Sequence, residues 1–159
     1  EAQYRAARKS LLKYNARLAE GNAIFESRAD NLQATIERIT ADLGSASAVV
    51  EQHISDSSGG FFDFRADDIF YRTKGRLYAY YLLLKEMESD FGKTIAEKSL
   101  AASWKLLLGS LEAVAKLQPL VVANGSLDGQ IVPNHLAIQG FYLLRARTQL
   151  KEISNILLK

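Results

Sequence analysis

The stretch DDIFYRTKGRLYAYYLLLKEMESDF, residues 67–91, decides the fold of this chain. Between Leu77 and Leu84 its apolar residues occupy nearly the whole circumference of a helix, so such a helix needs neighbours on several sides. We therefore predict that residues 67–91 form a central helix and that the other helices pack around it. The apolar positions at helical spacing are Phe70, Leu77, Tyr81, Leu84, Met87 and Phe91.

Two helices are predicted before this stretch. The first covers residues 2–20, where apolar residues recur at alternating steps of three and four, and Gly21 is placed to end it. The second begins at an Asp30 N-cap and runs to about Ser55. The apolar seam of the first helix consists of Tyr4, Ala7, Leu11, Tyr14 and Leu18.

Two helices are also predicted after the central one. Thr94 and Glu97 have the spacing of a capping box, which predicts a helix from Thr94 to about Leu117. Asn134 is a favourable N-cap for a last helix that runs to about Leu158. The four long helices each contain one interior glycine, which indicates either close backbone approach or no special role: Gly44, Gly75, Gly109 and Gly140.

These segments predict an all-α fold, an antiparallel up-down bundle of four long helices plus an N-terminal helix. Short connections between the second, third and fourth helices favour antiparallel neighbours. We expect residues 1–159 to form a single helical domain, in which residues 1–24 are a helical arm and residues 25–159 are the bundle.

Two segments lie between the helices. Residues 118–133 contain the turn dipeptides Asn124-Gly125 and Asp128-Gly129, which predict either a short β-hairpin or an ordered apolar loop. Such a long loop is often functional, as a lid or a binding element. A polar loop at residues 55–60 precedes three aromatic residues that form either a lid on the bundle end or a binding lip: Phe61, Phe62 and Phe64.

Composition excludes several function classes. The chain contains no cysteine, so disulfides, cysteine zinc sites and thiol catalysis are excluded. A net charge of +2 is too small for a nucleic-acid footprint. No apolar run reaches the ~20 residues of a membrane span. Because the sequence starts at Glu1 without methionine or a signal peptide, we expect it to be a piece of a longer protein, separated from an anchor or from a targeting segment.

Few residues are candidates for chemistry. His53 and His135 lack partners at metal-ligand spacing, so we interpret His53 as a satisfied, half-buried side chain. His135, next to Asn134, is interpreted as a helix-end hydrogen-bonding residue that contacts the long loop. Asp63, Asp67 and Asp68 are close in sequence, but capping of the central helix by Asp67 or Asp68 explains them better than acid–base catalysis.

Short phrases along the chain resemble one bacterial family, the domain of unknown function twenty-three thirty-three, over most of residues 25–158. The resemblance implies the soluble C-terminal portion of a proteobacterial envelope protein with one transmembrane helix near its N-terminus. It therefore implies an inner-membrane anchor and a periplasmic domain, but no activity and no catalytic residue. The phrases are RADNL at 28–32, LGS at 43–45, DDIFY at 67–71, NGS at 124–126, NH at 134–135 and RA at 145–146.

Two functions agree with these observations. The first is a non-catalytic interaction or scaffold domain that binds another envelope protein or a second copy of itself. It predicts an exposed apolar patch on the first helix or at residues 61–64. The second is a small-molecule or lipid-binding bundle with an apolar pocket at one end. Its predicted ligand-binding residues are Phe61, Phe62, Phe64, Asn124 and His135.

For either function we expect no enzyme activity, no metal, no cofactor and no nucleic-acid partner. Contact with the membrane is expected only through the missing N-terminal anchor.

Overall fold

The computed structural model describes residues 1–57 and 63–159. This part of the chain is all-helical, which confirms the predicted fold class. Over these residues, no helix combines the length and the apolarity that crossing a membrane requires. The six helices of the described residues are α1 (Ala2–Ala19), α2 (Ala29–Ser57), α3 (Phe64–Asp90), α4 (Gly92–Glu97), α5 (Ala101–Ala115) and α6 (His135–Leu157).

Helix α3 begins earlier than the sequence predicted, because its N-cap is Asp63. The Asp63 Oδ1 atom accepts hydrogen bonds from the backbone N–H groups of Arg65 and Ala66, both at 3.1 Å. These are the donors that an N-cap side chain satisfies. The prediction that Asp67 or Asp68 caps this helix is therefore wrong. Asp67 lies in the first turn, where its charge faces the positive end of the helix.

The predicted helix from Thr94 to Leu117 is divided into α4 and α5. Ser99 has a left-handed backbone with φ of 54°, and its N–H donates to Ala96 O while Leu100 N–H donates to Ile95 O. This is a Schellman motif with serine in the position that glycine usually takes. Thr94 is not a capping residue either. It lies within α4, and its hydroxyl donates to the carbonyl of Ser27.

Helices α2 and α6 pack along each other in opposite directions. Glu37 accepts a hydrogen bond from Ser154, and Gly44 faces the guanidinium of Arg147, so positions that ascend along α2 meet positions that descend along α6. α6 also packs along α5, and α3 packs mainly on α5. One buried core lies between these four helices, and the indole of Trp104 in its interior donates to Leu84 O at 3.3 Å.

Helix α3 is not the centre of this arrangement. Leu77 and Leu84 are fully buried, but Tyr78, Leu82 and Leu83 between them are between 43% and 49% exposed. Neighbouring helices therefore cover the apolar residues of α3 on one side only. α3 has one principal neighbour, α5, whereas α6 has two, α2 and α5. Single exposed apolar side chains are common on protein surfaces, so an apolar circumference is weak evidence of burial.

Helix α1 buries none of its residues. It ends as predicted at Gly21, whose φ of 74° is left-handed. The predicted seam is largely uncovered: Tyr4 is 83% exposed and Leu11 is 62% exposed. Only Tyr14 and Leu18 of this seam are half-buried, and the Tyr14 hydroxyl donates to Ile24 O.

The interior glycines are not sites of close backbone approach. A Cβ atom added at Gly75 or Gly109 would meet nothing within 4 Å. At Gly44 it would meet the side chain of Arg147, and at Gly140 it would be 3.6 Å from a methyl group of Val50. The helices are therefore not held together by backbone contact at these positions.

Trp104→Ala tests the shared core. We expect it to lower the free energy of unfolding by about 3–5 kcal/mol, because it removes a fully buried indole and leaves a cavity. Leu82→Ala, at a half-exposed position of α3, should cost less than about 1 kcal/mol. Urea unfolding followed by circular dichroism measures both values. Similar losses for the two variants would contradict the described core.

Candidate functional site

The loop between α5 and α6 is fixed at its base. Asn124 and Asn134 form an isolated antiparallel bridge, and Gly125 N–H donates to Pro133 O at 3.2 Å. Beyond this base, Gly129 N–H donates to Ser126 O at 2.9 Å and closes a turn. The structure therefore favours the ordered apolar loop over the β-hairpin, since a single bridge is not a strand pair.

Gly125 is required at this base by close contact between the two chain segments. A Cβ atom added there would lie 2.1 Å from the carbonyl oxygen of Val132. No side chain tolerates that distance, so glycine is needed here for packing. The turn predicted at Asn124-Gly125 lies instead between Ser126 and Gly129.

A polar cluster, which we define as His53, Asp63, Asn124 and Asn134, holds the loop base against the bundle. The Asp63 Oδ2 atom lies 2.7 Å from Nε2 of His53 and accepts a hydrogen bond of 3.0 Å from Nδ2 of Asn124. Because a carboxylate can only accept, the Nε2 atom of His53 carries the proton that it donates. The cluster thus joins α2, the start of α3 and the loop.

Asn134 extends the cluster to α6. Its Nδ2 atom donates to Asn124 Oδ1 at 3.0 Å and to Gly125 O at 2.6 Å. Its Oδ1 atom accepts from Ala137 N–H at 2.7 Å, which confirms Asn134 as the N-cap of α6. One asparagine therefore caps a helix and holds the loop.

His135 makes two further contacts with the loop. Its backbone N–H donates to Ala123 O at 2.9 Å, and its ring Nδ1 accepts from Ala123 N–H at 3.0 Å. The interpretation of His135 as a helix-end residue that contacts the loop is confirmed. Because Nδ1 accepts, it carries no proton in this arrangement.

The side chains of the polar cluster are almost fully buried. The side chains of His53 and Asp63 are 7% and 10% exposed, and Asn124 is 1% exposed. Burial acts to raise the pKa of Asp63 and is the largest single effect. The hydrogen bonds from Asn124, His53 and Ala66 N–H, with the charge of His53, together outweigh burial and hold this pKa below its usual value.

The structure brings together only part of the predicted ligand site. Asn124 and His135 both lie at the loop base, whereas Phe64 is 86% exposed at the start of α3. Phe61 and Phe62 fall outside the described residues.

The sequence predicted an apolar pocket at one end of the bundle. At the end where the loop lies, the structure has a second cluster of buried apolar residues that packs against the loop. Its members are Val50, Ala66, Ile69, Phe70, Val122 and Leu136.

Sequence reasoning missed the partner of His53. The interpretation of His53 as a satisfied side chain is confirmed, but its partner Asp63, ten residues further along the chain, was not identified. At 7% exposure His53 is buried instead of half-buried. Asp67 and Asp68 are exposed and take no part in the cluster. The signal that could have found the pair is an N-cap aspartate placed near a histidine on the inner face of the preceding helix. Among the described residues, no group of three metal-ligating side chains converges.

The family model described as an uncharacterised protein conserved in bacteria, DUF2333, matches residues 1–60 and 63–159. The chain belongs to this family. The match includes α1 and therefore extends beyond residues 25–158, where the short phrases indicated the resemblance. Comparisons with curated proteins and with solved structures found no match.

Asp63→Asn tests the polar cluster of this DUF2333 domain. The pKa of Asp63 is lower in the folded than in the unfolded chain, so its ionised form stabilises the fold. That contribution is present above the unfolded pKa of about 3.9 and is lost as pH falls through the folded pKa. We expect the variant to lose about 2–4 kcal/mol at about pH 7, because it also places donor groups against the donors of His53 and Asn124.

Urea unfolding between about pH 7 and about pH 3 measures this effect, and the gap between wild type and variant should narrow in acid. Asp67→Asn is the matched control in the same first turn, and it should cost no more than about 1 kcal/mol at neutral pH. A gap that stays constant down to the lowest pH would show that the charge of Asp63 does not stabilise the cluster.

Proposed function

We propose that this chain is a non-catalytic interaction domain of a bacterial envelope protein, and that it binds a partner protein through the loop 118–133. The observation that carries the proposal is a set of exposed apolar side chains on a loop whose base is fixed. Ile131 is 92% exposed, and Leu120, Val121 and Leu127 are also largely exposed.

Exposed apolar side chains on a fixed loop favour binding for two reasons. Each square ångström of apolar surface removed from water stabilises a complex by roughly 25 cal/mol. A loop that is already ordered at its base loses less conformational entropy when it binds. Here Asn124, Asn134 and His135 all restrain the base through side-chain hydrogen bonds.

The loop also indicates the character of the partner. Residues 118–133 contain one charged side chain, Asp128, among six aliphatic residues of the leucine, isoleucine and valine type. A matching surface would therefore be apolar and weakly charged. Another envelope protein or a second copy of this chain could supply it. The family resemblance supports the envelope location, the periplasmic side and an anchor before this domain.

The hydrogen bonding of Asp63 supports a structural role over a catalytic one. Its two oxygens accept from two backbone N–H groups, from His53 and from Asn124. A carboxylate with this many internal donors is poorly suited to take a proton from a substrate. We infer that the cluster serves to position the loop, and that α2, α3, α5 and α6 form the predicted antiparallel up-down bundle beneath it.

A second candidate function is binding of a small amphiphile, supported by a groove between α2, α6 and the loop. Its volume is about 460 Å³, and its apolar wall includes Val50, Ile54, Leu127 and Leu144. Arg147 also lines it, and the Nε atom of this side chain is buried with no hydrogen-bond partner in residues 1–57 and 63–159. Glu51 is the other charged residue of the lining. An apolar groove in which the buried Arg147 nitrogen awaits an acceptor suits an acyl chain whose polar head includes an anionic group.

Site-specific photo-crosslinking tests the interaction surface. A photoreactive residue at Ile131 of the full-length protein in cells should yield one adduct, while the same residue at Leu83 on α3 should not. Leu127→Ser should reduce the adduct at least about tenfold, since an apolar hot-spot contact contributes about 2 kcal/mol or more. Leu82→Ser is the matched control at an exposed leucine.

Gly125→Ala tests whether partner binding depends on the conformation of the loop as well as on its apolar side chains. It keeps every apolar side chain but should weaken the adduct, because its Cβ would displace Val132. Equal adducts from Ile131 and Leu83, or an adduct insensitive to both Leu127→Ser and Gly125→Ala, would contradict the proposal.

Native mass spectrometry of the purified chain tests the second candidate. A bound amphiphile should add a few hundred daltons, and Arg147→Gln should lower its occupancy by about tenfold, because a charged hydrogen bond contributes about 1.5–3 kcal/mol. Arg145→Gln is the matched control, because Arg145 is exposed and does not line this groove. A chain that carries no added mass in both wild type and variant would exclude this function.

A further inference from the structure

Helix α1 has a feature that the loop proposal does not use: its surface is divided between an apolar stripe and a basic face. At 100° per residue, Tyr4, Ala7, Leu11, Tyr14 and Leu18 fall within about 80° of the helix circumference. The basic residues occupy about 180° on the opposite side. They are Arg5, Arg8, Lys9, Lys13 and Arg17.

The charge of α1 is unbalanced. Between Ala2 and Ala19 the helix has five basic residues and no acidic residue. Arg5 pairs with Glu1 at 2.8 Å just outside the helix, and Arg17 donates to the backbone of Asn22. Within the described part of the chain, no acidic side chain pairs with the remaining three, Arg8, Lys9 and Lys13.

We propose that α1 lies on the surface of an anionic lipid bilayer, with Tyr4 and Leu11 of the apolar stripe inserted at the level of the headgroups. A helix with an apolar stripe and a basic face binds such surfaces through apolar burial and attraction to anionic lipids. Tyrosine is favoured at this depth because its ring is apolar and its hydroxyl is polar. This contact would be additional to any transmembrane anchor.

A second copy of α1 fits the stripe less well. Eighteen residues are about two and a half heptads, and the predicted core positions include two tyrosines and an alanine instead of branched aliphatic residues. The chain itself partly covers the C-terminal end of the stripe, where Tyr14 bonds to Ile24 O. Pairing two copies would also bring two basic helices together, whereas an anionic surface complements them.

The fold permits this contact without unfolding. No residue of α1 is buried, and Gly21 ends the helix in a left-handed conformation before the chain reaches α2. At 1.5 Å per residue α1 is about 27 Å long, which is long enough for several lipid headgroups. Binding through α1 would leave the shared core and the polar cluster intact.

Vesicle co-sedimentation of the full chain tests the proposal. We expect binding to vesicles that contain about one-third phosphatidylglycerol in phosphatidylcholine, and little binding to pure phosphatidylcholine. Lys9→Glu with Lys13→Glu should weaken binding by about tenfold or more, because each surface cation adds close to a factor of five in affinity. Leu11→Ser should weaken it through loss of the apolar anchor.

The matched control is Lys93→Glu with Lys151→Glu, which makes the same change in net charge on the body of the protein. It should retain wild-type binding to anionic vesicles. Circular dichroism of every variant checks that the fold is unchanged, as the exposure of α1 leads us to expect.

Three outcomes would overturn the proposal. Equal binding to neutral and anionic vesicles would remove the role of charge, and equal loss in the control pair would assign the effect to net charge alone. Failure to bind, together with a dimer in light scattering that Leu11→Ser dissociates, would assign the stripe to a second copy. Each outcome is independent of the crosslinking result at Ile131.

Discussion

The rest of this structure depends on the hydrogen bonds that the carboxylate of Asp63 accepts. It caps the start of α3 by accepting hydrogen bonds from two backbone N–H groups. It also accepts hydrogen bonds from the side chains of His53 in α2 and Asn124 in the loop. A buried charge is tolerated only where hydrogen bonds and an opposite charge replace water. One side chain therefore determines where α3 starts, how it meets α2 and where the loop is attached.

The hydrogen bonds of Asp63 also bear on whether its carboxylate can act on a substrate or only position the loop. A buried histidine–carboxylate pair can serve as a catalytic dyad, but here the carboxylate is saturated by donors from the chain itself. The neighbouring Asn134 is likewise used fully, as a helix cap and as a donor to the loop. The outcome of this arrangement is a rigid base that presents Leu127 and Ile131 to solvent.

The two proposed contact surfaces differ in the physics of binding. The loop is almost uncharged, so its affinity would come from apolar burial and would change little with salt. Helix α1 combines a narrow apolar stripe with five cations, so its affinity would depend strongly on salt and on the charge of the partner surface. A domain with both surfaces could bind a protein and a membrane surface at the same time.

Local patterns in the sequence were sufficient for much of the fold. The apolar seam of residues 2–20 predicted α1, Gly21 predicted its end, and Asn134 predicted the start of α6, because each of these signals acts within a few residues of its own backbone. His135 was also interpreted correctly, since its loop contact follows from its place at a helix end.

Tertiary structure decided what depends on residues far apart in the chain. Whether Leu82 is covered depends on which helices pack against α3, and the apolar circumference of residues 77–84 carries no information about that choice. The break at Ser99 was missed because serine replaces the usual glycine, and the left-handed turn is stabilised by the burial of Ile95 and Leu100 in the core.

The polar cluster depends on tertiary structure most of all. Asn124 lies 61 residues from Asp63, and only the packing of α5 and α6 returns the loop to the start of α3. The sequence by itself determined which segments are helical and, to within about two residues, where α1, α2 and α6 begin and end, because periodicity is local. Asp30, predicted as the N-cap of α2, lies inside its first turn. Only the tertiary structure decided that His53, Asp63 and Asn124 share one buried site, because hydrogen bonds between distant segments form only when the core brings them together.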